Sequence, residues 1–279
     1  MKLVMTLLIR DEQDIIADNL DFHLAQGVDE VIVTDNGSED GTLEILRSYE
    51  ARGVARIILE PTDDYSQGRW VTRMARIAAD ELGADWVINS DADEFWWPRS
   101  GTLGSTFEAL GDDIGIVVGR RTNFVPQPES DQPFWERMTV RERESLNPVG
   151  KPLPPKLAHR AHPEITVVQG NHRVQGPDLG ESLDDGRVEI LHFPMRSYAQ
   201  FESKIVKGGR AYERNRELPE RTGRTWRRLY EVWQRGEFRA HYDESILSDP
   251  TREDVVQDVR LRDYLGDLRR DPDERLVTP

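Results

Sequence analysis

Over roughly its first ninety residues the chain alternates two patterns. Short unbroken apolar runs (residues 2–9, 30–34, 56–59 and 85–90) are separated by segments whose apolar residues recur every three to four positions. Ile15, Ile16, Leu20 and Leu24 form one such stripe, Leu43, Ile45, Leu46 and Tyr49 a second, and Val71, Met74, Ile77 and Ala78 a third. Helical spacing between continuous apolar runs predicts helices over 11–26, 42–52 and 70–82, joined to strands buried on both faces. Gly27 and Gly83 supply the stops. A chain built this way folds as α/β, with a mostly parallel, Rossmann-like sheet flanked by helices.

Beyond residue 100 the rhythm breaks. Residues 114–119 read as a further strand, and seven prolines between 126 and 155 predict extended loops of the kind that carry substrate contacts. Residues 165–169 and 188–192 read as two more strands. From Ser197 onward the pattern is helical, through Tyr198, Phe201, Ile205, Trp226, Leu229, Tyr230 and Trp233, and a last amphipathic helix is expected over 252–268. The expected organisation is a nucleotide-binding half over 1–120, a second half over 121–195 completing the same domain, and a helical C-terminal segment over 196–279.

Ligands bind at the carboxyl ends of the strands in such a sheet. There the fourth apolar run ends abruptly in Asp91, Asp93 and Glu94. Ionised carboxylates are costly to bury unpaired, so the strand must meet solvent or a cation at this point. In extended backbone Asp91 and Asp93 share a face, and paired carboxylates suit a hard divalent ion that also bridges to phosphate. The other strand ends carry Arg10 and Glu12, Asp35 and Asn36, and Asp63 and Asp64. Acidic groups after the second strand suit the hydrogen-bond donors of a nucleoside, and Arg10 and Arg73 suit phosphate.

The exclusions are as informative. No Gly-x-Gly-x-x-Gly, no Gly-Lys-Ser/Thr loop and no His-Glu-x-x-His occurs. With no cysteine there is neither a disulfide nor a thiolate site. The net charge of −15 repels nucleic acid on average, although residues 196–239 hold 12 Lys/Arg against 6 Glu. No apolar run is long enough to span a membrane, the first strand lacks the marks of a leader, and a cytoplasmic protein is expected.

Four segments, in order, resemble family-2-like glycosyltransferases of the GT-A fold. Residues 8–12 (Leu-Ile-Arg-Asp-Glu) look like that group's "(R/K)NE" opening, with Asp11 where Asn is usual, and residues 19–29 resemble the helix and turn that follow. Residues 35–42 are similar to its "D-x-x-S-x-D-G-T" nucleotide loop, and residues 91–95 to its "DxD" metal motif. Residues 190–197, with Phe201 and Lys204, are similar to a later segment.

The resemblance implies a transferase that moves a sugar from a nucleoside-diphosphate donor, a UDP-sugar first among them, to an acceptor hydroxyl, with inversion and with Mn²⁺ or Mg²⁺. It implies that Asp35 contacts the nucleoside, Asp91 the ribose or a metal-bound water, Asp93 the metal, and His192 the metal as a third protein ligand. Arg10, Glu12, Asn36, Arg73, Trp97 and Lys204 complete the expected donor site. The base that takes the acceptor proton is open among Glu94, Glu181 and His172, with Asp178, Asp184 and Asp185 near the second. Trp96 and Trp97 are candidates for stacking on sugar, and Lys207 for phosphate. The acceptor is a glycan, a lipid-linked sugar or a small molecule, with modified nucleic acid also open. The rival readings are a sugar-phosphate nucleotidyltransferase and a silent nucleotide-sugar-binding protein.

Overall fold

A computed structural model of the 279-residue chain describes residues 1–62, 66–147, 150–215, 219 and 222–270. Asp63 and Asp64 lie outside the described residues. The first half runs β1 (Leu3–Ile9), α1 (Ile16–Ala25), β2 (Glu30–Asp35), α2 (Thr42–Ala51), β3 (Ala55–Leu59), α3 (Gln67–Asp80), β4 (Trp86–Asp91), β5 (Glu94–Pro98), α4 (Leu103–Glu108) and β6 (Ile114–Asn123). There follow α5 (Phe134–Arg137), β7 (Val140–Glu142), β8 (Lys156–Arg160), β9 (Thr166–Val167), β10 (Val174–Gln175), β11 (Glu181–Leu183) and β12 (Val188–His192). The chain continues as α6 (Tyr198–Arg214), α7 (Arg224–Gln234), α8 (Phe238–Ser245), β13 (Val255–Gln257) and α9 (Arg260–Arg270).

Nine strands form one sheet in the order β3-β2-β1-β4-β8-β6-β12-β5, with β11 also on β6. The ladders among β1, β2, β3 and β4 are parallel, as are those of β6 with β11 and β12, while β8 and β5 run antiparallel to their neighbours. β1 illustrates why an unbroken apolar run belongs here. Leu3, Met5, Leu7 and Ile9 enter the main core with Ile16, Leu20, Trp86 and Ile88, whereas Val4 points to the other face, against Val71, Met74 and Ala78 of α3. Both faces are covered, so neither parity of the strand is free to be polar.

Several expectations need correction. Residues 94–98 and 156–160 form strands that periodicity did not reveal. β5 follows a two-residue turn after β4, and β8 enters the centre of the sheet directly after Pro154 and Pro155. The expected strand at 165–169 shortens to Thr166–Val167, paired only with β10. Val255 and Val256 belong not to the last helix but to β13, paired with β7, in keeping with the strand preference of β-branched residues. Helices α6, α7 and α8 share a separate cluster of Phe201, Ile205, Tyr230, Phe238 and Tyr242. Helix α9, by contrast, places Leu261, Leu265 and Leu268 in the main core.

Candidate active site

The parallel register carries the acidic groups to one rim. Ile9 pairs with Asp35 on one side of β1, and Leu8 with Asp91 on the other. Asp35 is buried; its Oδ1 accepts from the backbone N–H groups of Gly37 and Ser38 at 3.1 and 3.0 Å, while Oδ2 accepts no hydrogen bond among the described residues. Asn36 turns the other way, donating to Glu60 O at 3.0 Å and Thr62 O at 2.7 Å, so its side chain ties down the end of β3. Asp11, in left-handed backbone at φ 53°, bridges the first two loops by accepting from Glu39 N at 2.7 Å.

Asp91 and Asp93 do not share a face. The chain turns at residues 92 and 93, and β5 departs antiparallel to β12. Period-two alternation therefore stops at Asp91. Asp91 meets Lys156, and its Oδ1 lies 3.4 Å from Asn171 Nδ2 and 3.5 Å from Gln67 Nε2. Asp93 instead faces His192, whose Nε2 is 3.6 Å from Asp93 Oδ2, and Lys204, which contacts the same oxygen. Asp93, Glu94 and His192 offer donor atoms within 4.8 Å of one another. Glu94 Oε2 accepts from Asp91 N at 3.2 Å, and the buried Oε1 accepts no hydrogen bond among the described residues.

Buried cations balance these carboxylates. Lys156, 1% exposed, is 3.3 Å from Glu94 Oε1, and Arg121 is 3.5 Å from the same atom. Burial pushes the Glu94 carboxyl up, against the pull of Lys156 and Arg121. Burial also opposes ionisation of Asp93, but Lys204, His192 and Arg196 outweigh it and hold that carboxyl well below the usual carboxylate range. Glu12 is buried against Arg196, with Lys204 3.8 Å away, and burial leaves its carboxyl raised. Arg196, fully buried, also grips Asp14 at 2.7 Å and Phe193 O at 3.0 Å, which ties β12 to the first loop. Lys207 joins Asp11 and Glu39 at 2.5 and 2.6 Å.

His172 lies beside this group. Its Nδ1 is 2.8 Å from Pro155 O, and burial together with Lys156 and Arg121 holds the imidazole down at about 4, hence neutral near pH 7. Arg10 ends the region just after β1 and is half-buried.

Glu181, Asp184, Asp185, Trp96 and Trp97 stand away from this cluster. Glu181 is exposed and pairs with Ile114 at the start of β6, about 30 Å of strand (at ~3.3 Å per residue) from Asn123 at its other end. Asp184 pairs with Arg120, further along β6, and Asp185 with Arg187 just before β12. Trp97 packs on Phe22 at 5.7 Å between ring centroids and under Arg260, and Trp96 is fully buried, donating Nε1–H to Ser90 at 3.2 Å. Arg73 is exposed and pairs at 3.4 Å with Glu60, whose carbonyl holds Asn36, so it lies near the end of β3 on the same rim. Sequence reasoning missed Lys156, Arg121, Asn123, Asn171 and Asn19, and left Arg196 in a generic basic stretch. Only the run Leu157–Ala158 after the prolines hinted at the strand that carries Lys156.

Residues 7–163 match the sequence model of Glycosyl transferase family 2, more than half of the chain. Curated proteins yield no match. Among solved structures, S. aureus TarS in complex with UDP is 14% identical over 86% of this chain and 73% of its own, with a TM-score of 0.44. Glucosyl-3-phosphoglycerate synthase from Mycobacterium tuberculosis, in complex with Mn²⁺, UDP and glucosyl-3-phosphoglycerate, is 22% identical over 43% of this chain and 44% of its own, with a TM-score of 0.30. No helix of the described residues is long and apolar enough to cross a membrane.

Proposed function

The chain belongs to glycosyl transferase family 2, a glycosyltransferase on the GT-A fold, and on that premise we propose that it transfers a sugar from a nucleoside-diphosphate donor to an acceptor hydroxyl with the help of Mn²⁺ or Mg²⁺. Family membership sets aside the nucleotidyltransferase and silent-binding readings. The observation that carries the proposal is the convergence of Asp93, Glu94 and His192 on the same rim as Asp35.

The donor set suits a hard ion. Two carboxylates and one imidazole already lie within 4.8 Å of one another. Asp93, Glu94 and His192 would hold such an ion once Lys204 gives up its contact with Asp93 Oδ2. The buried Glu94 Oε1 accepts no hydrogen bond among the described residues but is flanked by Lys156 at 3.3 Å and Arg121 at 3.5 Å, so an ion there would compete with those two cations. Bound there, the ion would supply positive charge to stabilise the departing nucleoside diphosphate.

The remaining roles follow from chemistry. Asp35 Oδ2, buried and accepting nothing among the described residues, takes an N–H or O–H of the nucleoside. Lys204 and Lys207, on one face of α6, neutralise the diphosphate, and Arg10, just after β1, offers a further cation. Asp91, half-exposed, faces the sugar. The acceptor proton passes to His172: its Nδ1–H donates to Pro155 O, so Nε2 keeps a lone pair, and an anionic donor nearby raises its basicity. A single base on the face opposite the leaving group gives inversion. Residues 1–120 supply the nucleoside contacts, with His192, Lys204 and Lys207 joining them at the diphosphate, and 121–195 supply the rest of the acceptor side, whose hydroxyl belongs to a glycan, a lipid-linked sugar or a small molecule.

Thermal shift with UDP-, GDP- and dTDP-sugars, with and without Mn²⁺, tests this directly, since a ligand that binds only the folded state raises Tm. UDP-sugars with Mn²⁺ are expected to raise it most, followed by release of nucleoside diphosphate. Absence of any metal-dependent shift across all three nucleotides rejects the proposal.

A further inference from the structure

Helix α1 faces the main core with Ile16, Leu20 and Phe22, yet the same buried face carries Asn19 and His23, each 0% exposed. Polar groups at such positions are costly unless every one finds a partner. Their partners are concentrated on one short stretch. Asn19 Nδ2 donates to Ala92 O at 2.9 Å and to Glu94 O at 2.8 Å, reaching 73 and 75 residues along the chain. These carbonyls flank Asp93. Asp93 O in turn accepts from Phe193 N at 2.8 Å, from the opposite side. The three consecutive carbonyls of the β4–β5 turn are thus held from two directions.

His23 backs up the amide. Its Nδ1 is 2.8 Å from Asn19 O and 3.1 Å from Asn19 Oδ1, and its Nε2 accepts from Trp96 N at 3.2 Å. Burial pushes this imidazole down to about 4, so it is neutral, with one nitrogen donating and the other accepting. Nδ1–H therefore points at Asn19, and the Nε2 lone pair fixes the third residue of β5. An aliphatic side chain at position 19 suits the apolar face but removes the amide that donates to both turn carbonyls, and its methyl cannot approach them as closely as Nδ2 does.

We propose that Asn19 is a positioning residue of the metal centre: its amide sets the β4–β5 turn so that Asp93 and Glu94 converge on His192. The proposal rests on reading that cluster as a metal site. Ligand geometry must hold within about half an ångström for tight binding, and the backbone of a two-residue turn does not fix itself that closely.

The test is Mn²⁺ binding, by calorimetry or by the loss of the free-ion paramagnetic resonance signal, to the full chain without donor. Asn19→Leu, similar in size but without donors, is expected to bind Mn²⁺ at least about tenfold more weakly, the lower end for loss of a group that supports a ligand. It should keep cooperative unfolding and its near-ultraviolet circular dichroism. Leu20→Ala, on the same helix but with no hydrogen bond to the turn carbonyls, should lower Tm and leave the Mn²⁺ Kd within about twofold of wild type. If Asn19→Leu does not fold, His23→Leu carries the same test, a weakening of about threefold or more being expected. A variant Kd within twofold of wild type, with the wild type binding, overturns this proposal alone. No Mn²⁺ binding by the wild type overturns both it and the metal reading.

Discussion

His192 Nδ1 lies 2.7 Å from Asn123 Oδ1, and the two residues are register partners at the carboxyl ends of the parallel strands β12 and β6. The amide orientation is set by Asn123 Nδ2, which donates to Glu142 at 3.1 Å. With the oxygen facing His192, Nδ1–H donates to it, and Nε2 is the ring nitrogen turned toward Asp93, 3.6 Å from its Oδ2. A carbonyl behind the imidazole orients a metal ligand and raises its basicity. Asn123→Ala is expected to weaken Mn²⁺ binding by about 10–100-fold, while Asn123→Asp, which keeps the acceptor, should retain most of it. Calorimetric titration of the two variants decides the matter; equal loss in both refutes the orienting role.

Lys156 stands between Asp91 and Glu94 with its side chain 1% exposed. Removing one member of a buried ion cluster strands the others, at a cost of about 3–5 kcal/mol. Lys156→Met is expected to destabilise the protein by that amount in urea unfolding. Adding Glu94→Gln should recover part of the loss. If the single variant unfolds at the wild-type urea concentration, the cluster contributes nothing to the fold.

Glu181 and Trp97 separate position from chemistry. Glu181 lies at the far end of β6, so Glu181→Gln should leave kcat/KM within about twofold of wild type, a surface substitution away from any site. Trp97 packs between Phe22 and Tyr264, so Trp97→Ala should cost about 2–4 kcal/mol of stability and leave the donor Kd unchanged. A large loss of donor affinity, with stability intact, would return Trp97 to the binding site.

Acid should destabilise the fold well above the carboxylate range. His23 and His159 are buried, and burial holds both imidazoles down at about 4. Their folded pKa values lie below the unfolded one of about 6.5. Between pH 6.5 and 4 the unfolded chain therefore binds the extra protons, and stability falls as pH falls, by up to about 1.4 kcal/mol per pH unit for each group. His159→Leu should flatten the slope between those limits. Urea midpoints at pH 7, 6 and 5 measure it, and an unchanged slope removes His159 from the account.

Much of the architecture is legible in the chain itself. The unbroken apolar run of β1 demands cover on both faces, the stripes of α1, α2 and α3 supply it, and strand–helix alternation sets parallel pairing. Parallel pairing then collects Asp35 and Asp91 at one rim, because the carboxyl ends of β2 and β4 flank that of β1. These are local consequences of period and order, and one sequence contains them.

The site's inner wiring is decided only in three dimensions. Whether residues 91 to 93 run extended or turn depends on Asn19 and Phe193, one far upstream and one far downstream, which hold the intervening carbonyls. That turn aims Asp91 at Lys156 and lets Glu94 join Asp93 and His192. Lys156 reads as loop because two prolines precede it, yet β8 enters between β4 and β6 and buries its ammonium among carboxylates. Glu181 and Trp97 look equally apt on paper, and pairing sends one to the far rim and the other into the packing around Phe22. Periodicity reports which face of an element is buried; which charges meet across strands distant in sequence is fixed by pairing and by the cost of leaving a buried charge alone.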